Sequence, residues 1–202
     1  LLIPDGVPGS PDLDASSWIH RQRGADKPFF LSVGFGETHR EFPSSNWTVN
    51  PNHVMPPAPF PDTRETREDM AGYSTWAAVL DRKMGTVFSA LKEAGLWENT
   101  LVICTTDHGI AFPAMKCNLT DHGIGVMLMI HGPAGFAGGK AVDGLVSHID
   151  IAPTICDVAG IEPPDRFEGT SLVPLVSGGC DSVRDEIHAE VKGVIRKVLV
   201  EN

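Results

Sequence analysis

Residues 100–106, Thr-Leu-Val-Ile-Cys-Thr-Thr, form a near-continuous apolar run that stops abruptly at Asp107-His108-Gly109. A run of this length without polar alternation predicts a strand covered on both faces, as in a parallel sheet. Immediately upstream, Met70, Tyr73, Ala77, Leu80, Met84, Val87, Phe88 and Leu91 step by three and four, which predicts one long amphipathic helix. Thr66 with Asp69 reads as its capping box and Gly95 as its C′ stop. Pro28–Gly36 predicts a buried strand ending in glycine, Ile124–Ile130 another strand, and Ala15–Arg23 a short helix. Asp150 reads as the cap of a helix through Val158 closed by Gly160, and Glu186–Val200 as a further helix. Strands that alternate with helices place the chain in the α/β class.

Composition narrows the function classes. Sixteen Lys and Arg against twenty-six Asp and Glu give a net charge of −10, with no basic block, so no nucleic-acid partner is expected. The longest apolar runs are far too short to cross a bilayer, so no membrane insertion is expected. Cys104, Cys117, Cys156 and Cys180 contain no C-x-x-C pair, which excludes the common zinc-ribbon spacings and a dense disulfide scaffold. The chain starts at Leu1 without an initiator Met or a signal-like segment, and reads as part of a longer protein. Between Pro43 and Pro61 there are six prolines and little periodicity, which predicts an ordered irregular loop or a linker with a role of its own.

In an open α/β sheet, ligands bind beyond the carboxyl ends of the strands. Two strand candidates end in polar clusters, one supplying His39 and the other Asp107 and His108. Gly109 permits the break in pleating that lets an adjacent carboxylate and imidazole turn toward one point. Such a pair can ligate a metal ion, with Lys116 returning as a cation for an anionic group. The plainer alternative is an Asp that caps a turn beside a surface His.

Combined in order along residues 27–176, these stretches resemble the sulfatase family of the alkaline-phosphatase-like superfamily. The matching segments are Lys27–Val33 leading to His39; Tyr73–Leu96 around Leu80-Asp81-Arg82-Lys83-Met84-Gly85; Glu98–Gly109; Gly123-Ile124 with Gly132-Pro133; Ser147–Thr154; and Gly169-Thr170-Ser171-Leu172. The branch resembled is that of bacterial glycan sulfatases of the heparan N-sulfatase type. The resemblance implies an alkaline-phosphatase-like three-layer α/β sandwich, with this chain as the C-terminal half of its catalytic domain on a mostly parallel sheet. Residues 1–185 would be the partial catalytic domain and 186–202 a truncated or diverged C-terminal segment. It further implies Asp107 and His108 as metal ligands, usually for Ca2+, with His where many members carry Asn. Lys116 would contact the sulfate oxygens, and His39 would stand beside the sulfate and the leaving group, both catalytic and substrate-binding. His122, just after Lys116, is a further substrate-binding candidate. The substrate would be a sulfated carbohydrate or another sulfate ester, and the setting periplasmic or secreted.

Three departures qualify the resemblance. The family's formylglycine arises from Cys or Ser in a C/S-x-P/A-x-R signature, and this sequence has none; Cys180-Asp181-Ser182-Val183-Arg184 has the spacing but not the central residue. The paired aspartates that complete the metal site are also missing, so formylglycine and the other ligands are expected in an absent N-terminal part. Thr38-His39-Arg40-Glu41 stands where the family commonly has Pro-His-x-Pro. Two alternatives stay open: a phosphate or phosphonate ester hydrolase of the same superfamily, and an inactive truncated remnant that binds an anion or sugar. In a half-domain, an unpaired strand edge would invite self-association. His148 is read as structural, and Trp47, His53 and the sequons at Asn46 and Asn118 as surface features.

Overall fold

The pattern of short strands and one long helix is realised in a computed structural model that describes residues 2–3, 10–136, 138–191 and 193–199. It divides into two compact units, Leu1–Trp97 and Glu98–Asn202.

In the first unit, β1 (Leu2–Ile3) pairs in parallel with β2 (Ser32–Val33), so the predicted Pro28–Gly36 strand is confined to its centre. Helix α1 (Pro11–Arg21) begins with Pro in its first turn beside Asp12 and Asp14, and ends with His20 and Arg21. That charge order suits the helix dipole. Its buried Ala15 and Ile19 pack on α2 (Arg64–Glu93), which contributes Ala71, Ala90 and Leu91. The capping box of α2 is Thr63 with Thr66, three residues ahead of the Thr66–Asp69 pair expected from sequence. Thr63 takes extended backbone while Thr66 is already helical, and Thr-x-x-Thr serves as the box because the hydroxyl of Thr66 accepts from the Thr63 amide. Gly95 follows the helix at φ +72, as expected.

The proline-rich segment 43–61 is an ordered loop. Arg67 of α2 donates to the carbonyls of Asn52 and Val54 at 3.0 Å each and pairs with Asp62. The Asn50 side chain accepts from the Asn52 amide at 2.9 Å and caps a 3₁₀ turn, Pro51–His53. Gly72 lets α2 approach this loop: a Cβ there would lie 2.5 Å from the Pro43 carbonyl.

In the second unit, β3 (Val102–Thr105) pairs with β4 (Leu128–His131) in antiparallel register, Ile103 opposite Ile130. The apolar run pointed to a parallel neighbour; instead β3 is half covered rather than fully buried, so its run of apolar residues did not specify strand direction. The predicted Ile124–Ile130 strand is split, because Asp121–Ile124 forms one helical turn, α3, before β4 begins. Helix α4 (Ile151–Ala159) ends at Gly160 with φ +66, as expected. With α5 (Val173–Ser177) it brackets a core of Phe136, Leu172 and Leu175, packed by Leu101, Leu128, Ile130, Val146 and Val158 among others.

The helix expected over Glu186–Val200 is instead a hairpin, β5 (Glu186–Val191) and β6 (Val194–Leu199), with Gly193 at φ +77 in the turn; Val200 lies outside the described residues. Ile187, Ala189 and Val191 alternate with Glu186, His188 and Glu190, a period of two that a strand satisfies and a helix does not. All four cysteines are free thiols. No helix among the described residues is long and apolar enough to cross a membrane.

Candidate functional site

Beyond the end of β3 the chain forms a closed loop. The Gly109 amide donates to the Gly123 carbonyl at 3.0 Å and joins the two ends. A Cβ on Gly109 would stand 1.8 Å from the His122 carbonyl oxygen, so only glycine admits this approach. Inside the loop, Ala111, Phe112 and Met115 are buried at 9, 3 and 1 % exposure and form a floor of the loop's own side chains. Ends in contact and an internal apolar filling define an Ω-loop, a form that frequently carries function. Lys116 sits half-buried on its rim beside exposed Cys117, whose φ is +60. His122, exposed, lies where the loop returns to Gly109. Asp107, His108, Lys116 and His122 are thus gathered on one turn and the loop that closes onto it.

The Asp107–His108 pair has a defined polarity. Nδ1–H of His108 donates to the Gly109 carbonyl at 2.7 Å, and a carbonyl oxygen can only accept, so the ring proton belongs on Nδ1. Nε2 then faces outward, 3.6 Å from Oδ2 of Asp107. Oδ1 of that carboxylate accepts from the His108 amide at 3.1 Å, and the side chain is otherwise exposed. That separation leaves room for a proton or a cation between the two atoms. A ring nitrogen fixed by a backbone carbonyl, with the other left to ligate, is the usual arrangement of a metal-bound histidine. The donor set, one carboxylate and one imidazole, fits part of a metal site. Among the described residues no group of three or more His, Cys, Asp or Glu could hold an ion.

His39 lies in the other unit, in the turn after β2. Its amide donates to the Gly36 carbonyl at 3.1 Å, its Nδ1 bonds the Arg40 carbonyl, and the ring is exposed. Thr38 takes φ +76, which the ring of proline forbids. The turn before His39 thus has a backbone that proline could not adopt at position 38. Next to it, Glu37 pairs with Lys83 of α2.

Three contacts around the site join segments that are distant in the sequence. Asp150, fully buried, does not cap α4; its Oδ2 accepts from the Ser147 amide at 2.8 Å, its Oδ1 from the Thr170 amide at 2.8 Å, and Arg184 pairs with it. Thr105, last in β3, bonds Nε2 of His148 at 2.8 Å and donates to the Met127 carbonyl at 2.8 Å. His148 thus ties the end of β3 to the 3₁₀ turn His148–Asp150, in keeping with a structural part. Arg196 of β6 reaches the Ω-loop, where it bonds the Leu119 carbonyl at 2.7 Å and Asp121 Oδ1 at 2.5 Å. Trp47 donates to the Pro43 carbonyl at 2.8 Å and so stiffens its loop.

The family model described as Sulfatase matches residues 14–161. Human N-sulphoglucosamine sulphohydrolase is 32% identical over 185 residues, which cover 75% of this chain and 37% of that protein. The solved Bacteroides fragilis protein yidJ superposes with a TM-score of 0.71 at 21% identity over 85% of this chain and 41% of its own. A phosphonate monoester hydrolase from Silicibacter pomeroyi gives 0.71 at 24% identity, over 87% and 44%. Both structures show the expected alkaline-phosphatase-like α/β fold, and the chain spans under half the length of each of these three relatives. A family model across most of the chain, joined by a curated relative at 32% identity over three quarters of it, shows that the chain belongs to the Sulfatase family.

Proposed function

We propose that this chain is the C-terminal part of a hydrolase that cleaves sulfate esters or sulfamates of a sulfated glycan. The observation that supports the reading is the Ω-loop closed at Gly109, which follows Asp107 and His108 at the end of β3 and carries Lys116 and His122. A sulfamate on an amino sugar is the substrate class named by the human relative. In this reading residues 1–185 form the partial catalytic domain and 186–202 a C-terminal segment.

Asp107 and the Nε2 of His108 would hold part of a metal site. A hard cation such as Ca2+, when bound, supplies positive charge for the sulfate oxygens. The Lys116 ammonium would add a second positive charge from the loop rim and orient the anion. His122, where the loop returns, would contact the sugar or the sulfate. His39 would give a proton to the departing oxygen or nitrogen, a role that an imidazole near neutral pH can fill. The attacking group, a formylglycine in this reading, would come from outside these residues, because no C/S-x-P/A-x-R signature is present. The net charge of −10 opposes long-range steering of an anionic glycan, so affinity would have to arise locally, from the cation, Lys116 and His39.

Sulfate release from glucosamine N-sulfate and from O-sulfated disaccharides, by the protein that carries this chain, tests the reading. Asp107→Ala and Lys116→Ala should each lower kcat/KM by about 10²-fold or more, as loss of a charge-stabilising group does. Unchanged sulfate release in both variants would overturn the assignment. Turnover of a phosphonate monoester in preference to any sulfate would instead favour phosphoryl chemistry on the same fold.

A further inference from the structure

The C-terminal hairpin reaches the candidate site through one side chain. Arg196 lies opposite Ala189 in the β5–β6 register, on the face that also carries Ile187, Val191 and Val198. The small side chain of Ala189 leaves room for the guanidinium to extend past the hairpin. There Nη1 donates to the Leu119 carbonyl at 2.7 Å and Nη2 to Asp121 Oδ1 at 2.5 Å. The two acceptors flank Thr120, so a single planar fork spans the arm of the Ω-loop between Lys116 and His122.

The rest of the arm is held from within the loop: the Asn118 amide donates to the Met115 carbonyl at 3.0 Å, and the Gly123 and Ile124 amides to the Thr120 carbonyl at 2.9 and 3.0 Å. Its floor is the buried trio Ala111, Phe112 and Met115, and its base is the Gly109–Gly123 hydrogen bond. Cys117, Asn118, Thr120 and Asp121 are exposed. Within the arm, the Asn118 side chain donates to the Lys116 carbonyl at 3.1 Å and the Thr120 hydroxyl to the Ala114 carbonyl at a long 3.4 Å. Ala114 and Cys117 hold positive φ, at +58 and +60, a conformation that costs energy without glycine and persists only where surrounding contacts enforce it. The grip of Arg196 reaches the arm from outside the loop's own sequence.

We infer that Arg196 is a positioning residue: it holds the 117–121 arm in the conformation that presents Lys116 and His122, and so makes the C-terminal hairpin part of the anion site. The guanidinium fork matters as well as its charge, because an ammonium offers no planar pair of donors to satisfy a backbone carbonyl and a carboxylate two residues apart. The coupling rests on the proposed anion-binding role of Lys116; the grip itself does not.

Amide hydrogen exchange and a sodium sulfate titration, both on the 202-residue chain, separate the two. In Arg196→Gln, amides of 116–122 should exchange about three- to tenfold faster, the effect of losing one partly exposed charge-assisted anchor, while the β5–β6 ladder keeps its protection. Arg196→Lys should recover part of that protection. Amide resonances of 116–122 should shift with sulfate in the wild type, weaken in affinity by a similar factor in Arg196→Gln, and lose the response in Lys116→Ala. Unchanged exchange in Arg196→Gln would overturn the grip. Faster exchange with unchanged sulfate affinity would overturn the positioning role. A wild-type chain with no sulfate response at 116–122, or a response that survives in Lys116→Ala, would refute Lys116 as the anion contact and the coupling with it, while the exchange rates would still decide the grip.

Discussion

Replacing Asp150 by alanine removes the anion around which three separated segments meet. Its carboxylate is fully buried, accepts from the Ser147 and Thr170 amides at 2.8 Å each, and pairs with Arg184, whose side chain is 15% exposed. The Nε of Arg184 already has no hydrogen-bond partner. The substitution would leave a largely buried guanidinium uncompensated, at about 3–5 kcal/mol for removal of one partner of a buried pair. The two half-buried amides add about 1 kcal/mol between them, since water reaches them in part. A loss of about 4–6 kcal/mol is a large fraction of the stability of a typical domain, about 5–15 kcal/mol. Urea denaturation followed by far-UV circular dichroism should show the midpoint fall steeply in Asp150→Ala. The double variant Asp150→Ala/Arg184→Met should recover about 1–3 kcal/mol of it, because most of the cost is the stranded cation. A loss below about 1 kcal/mol in the single variant, or no recovery in the double, would refute the account of this cluster as an electrostatic junction.

Gly109→Ala should open the base of the Ω-loop, because its Cβ would stand 1.8 Å from the His122 carbonyl oxygen. We expect about 1–3 kcal/mol of lost stability and faster amide exchange confined to residues 109–123, with wild-type exchange in that loop counting against it. Burial pushes the Cys104 thiol above its ordinary 9.0 and the Tyr73 phenol above its ordinary 10.0. Both groups hold their protons more tightly folded than unfolded, so the stability they lend is intact below about pH 9 and is lost as pH climbs through their folded pKa values. Thermal melts should show Tm falling above about pH 9, less steeply in Cys104→Ala, and alkylation at pH 8 should label exposed Cys117 before Cys104; equal labelling rates would refute the difference in burial.

The long helix was legible because its signal is local: apolar residues every three or four positions and a Gly stop need no partner to be read. Its start was misplaced by three residues, since Thr63, Thr66 and Asp69 are chemically interchangeable as capping residues and only the backbone decides which takes the extended conformation. Glu186–Leu199 forms a hairpin where the sequence suggests a helix, although Ile187, Ala189 and Val191 alternate with polar residues. Its charged residues fit either period, and the pairing that settles the matter lies across a turn. The antiparallel direction of β3 and β4 had no local signature at all.

At the candidate site the division is sharper. The sequence determined which chemistry could be offered, because Asp107, His108, Lys116 and His122 follow one another closely after an apolar run, and the family resemblance turns that order into a metal and an anion. Only the tertiary structure decided that Gly109 meets His122 and closes the loop, that the His108 proton is held on Nδ1, and that Arg196, far along the chain, grips the loop's arm. Side-chain identity is carried by each residue alone, whereas a close approach, a tautomer or a clamp belongs to pairs of residues, and the chain reveals such pairs only when it folds.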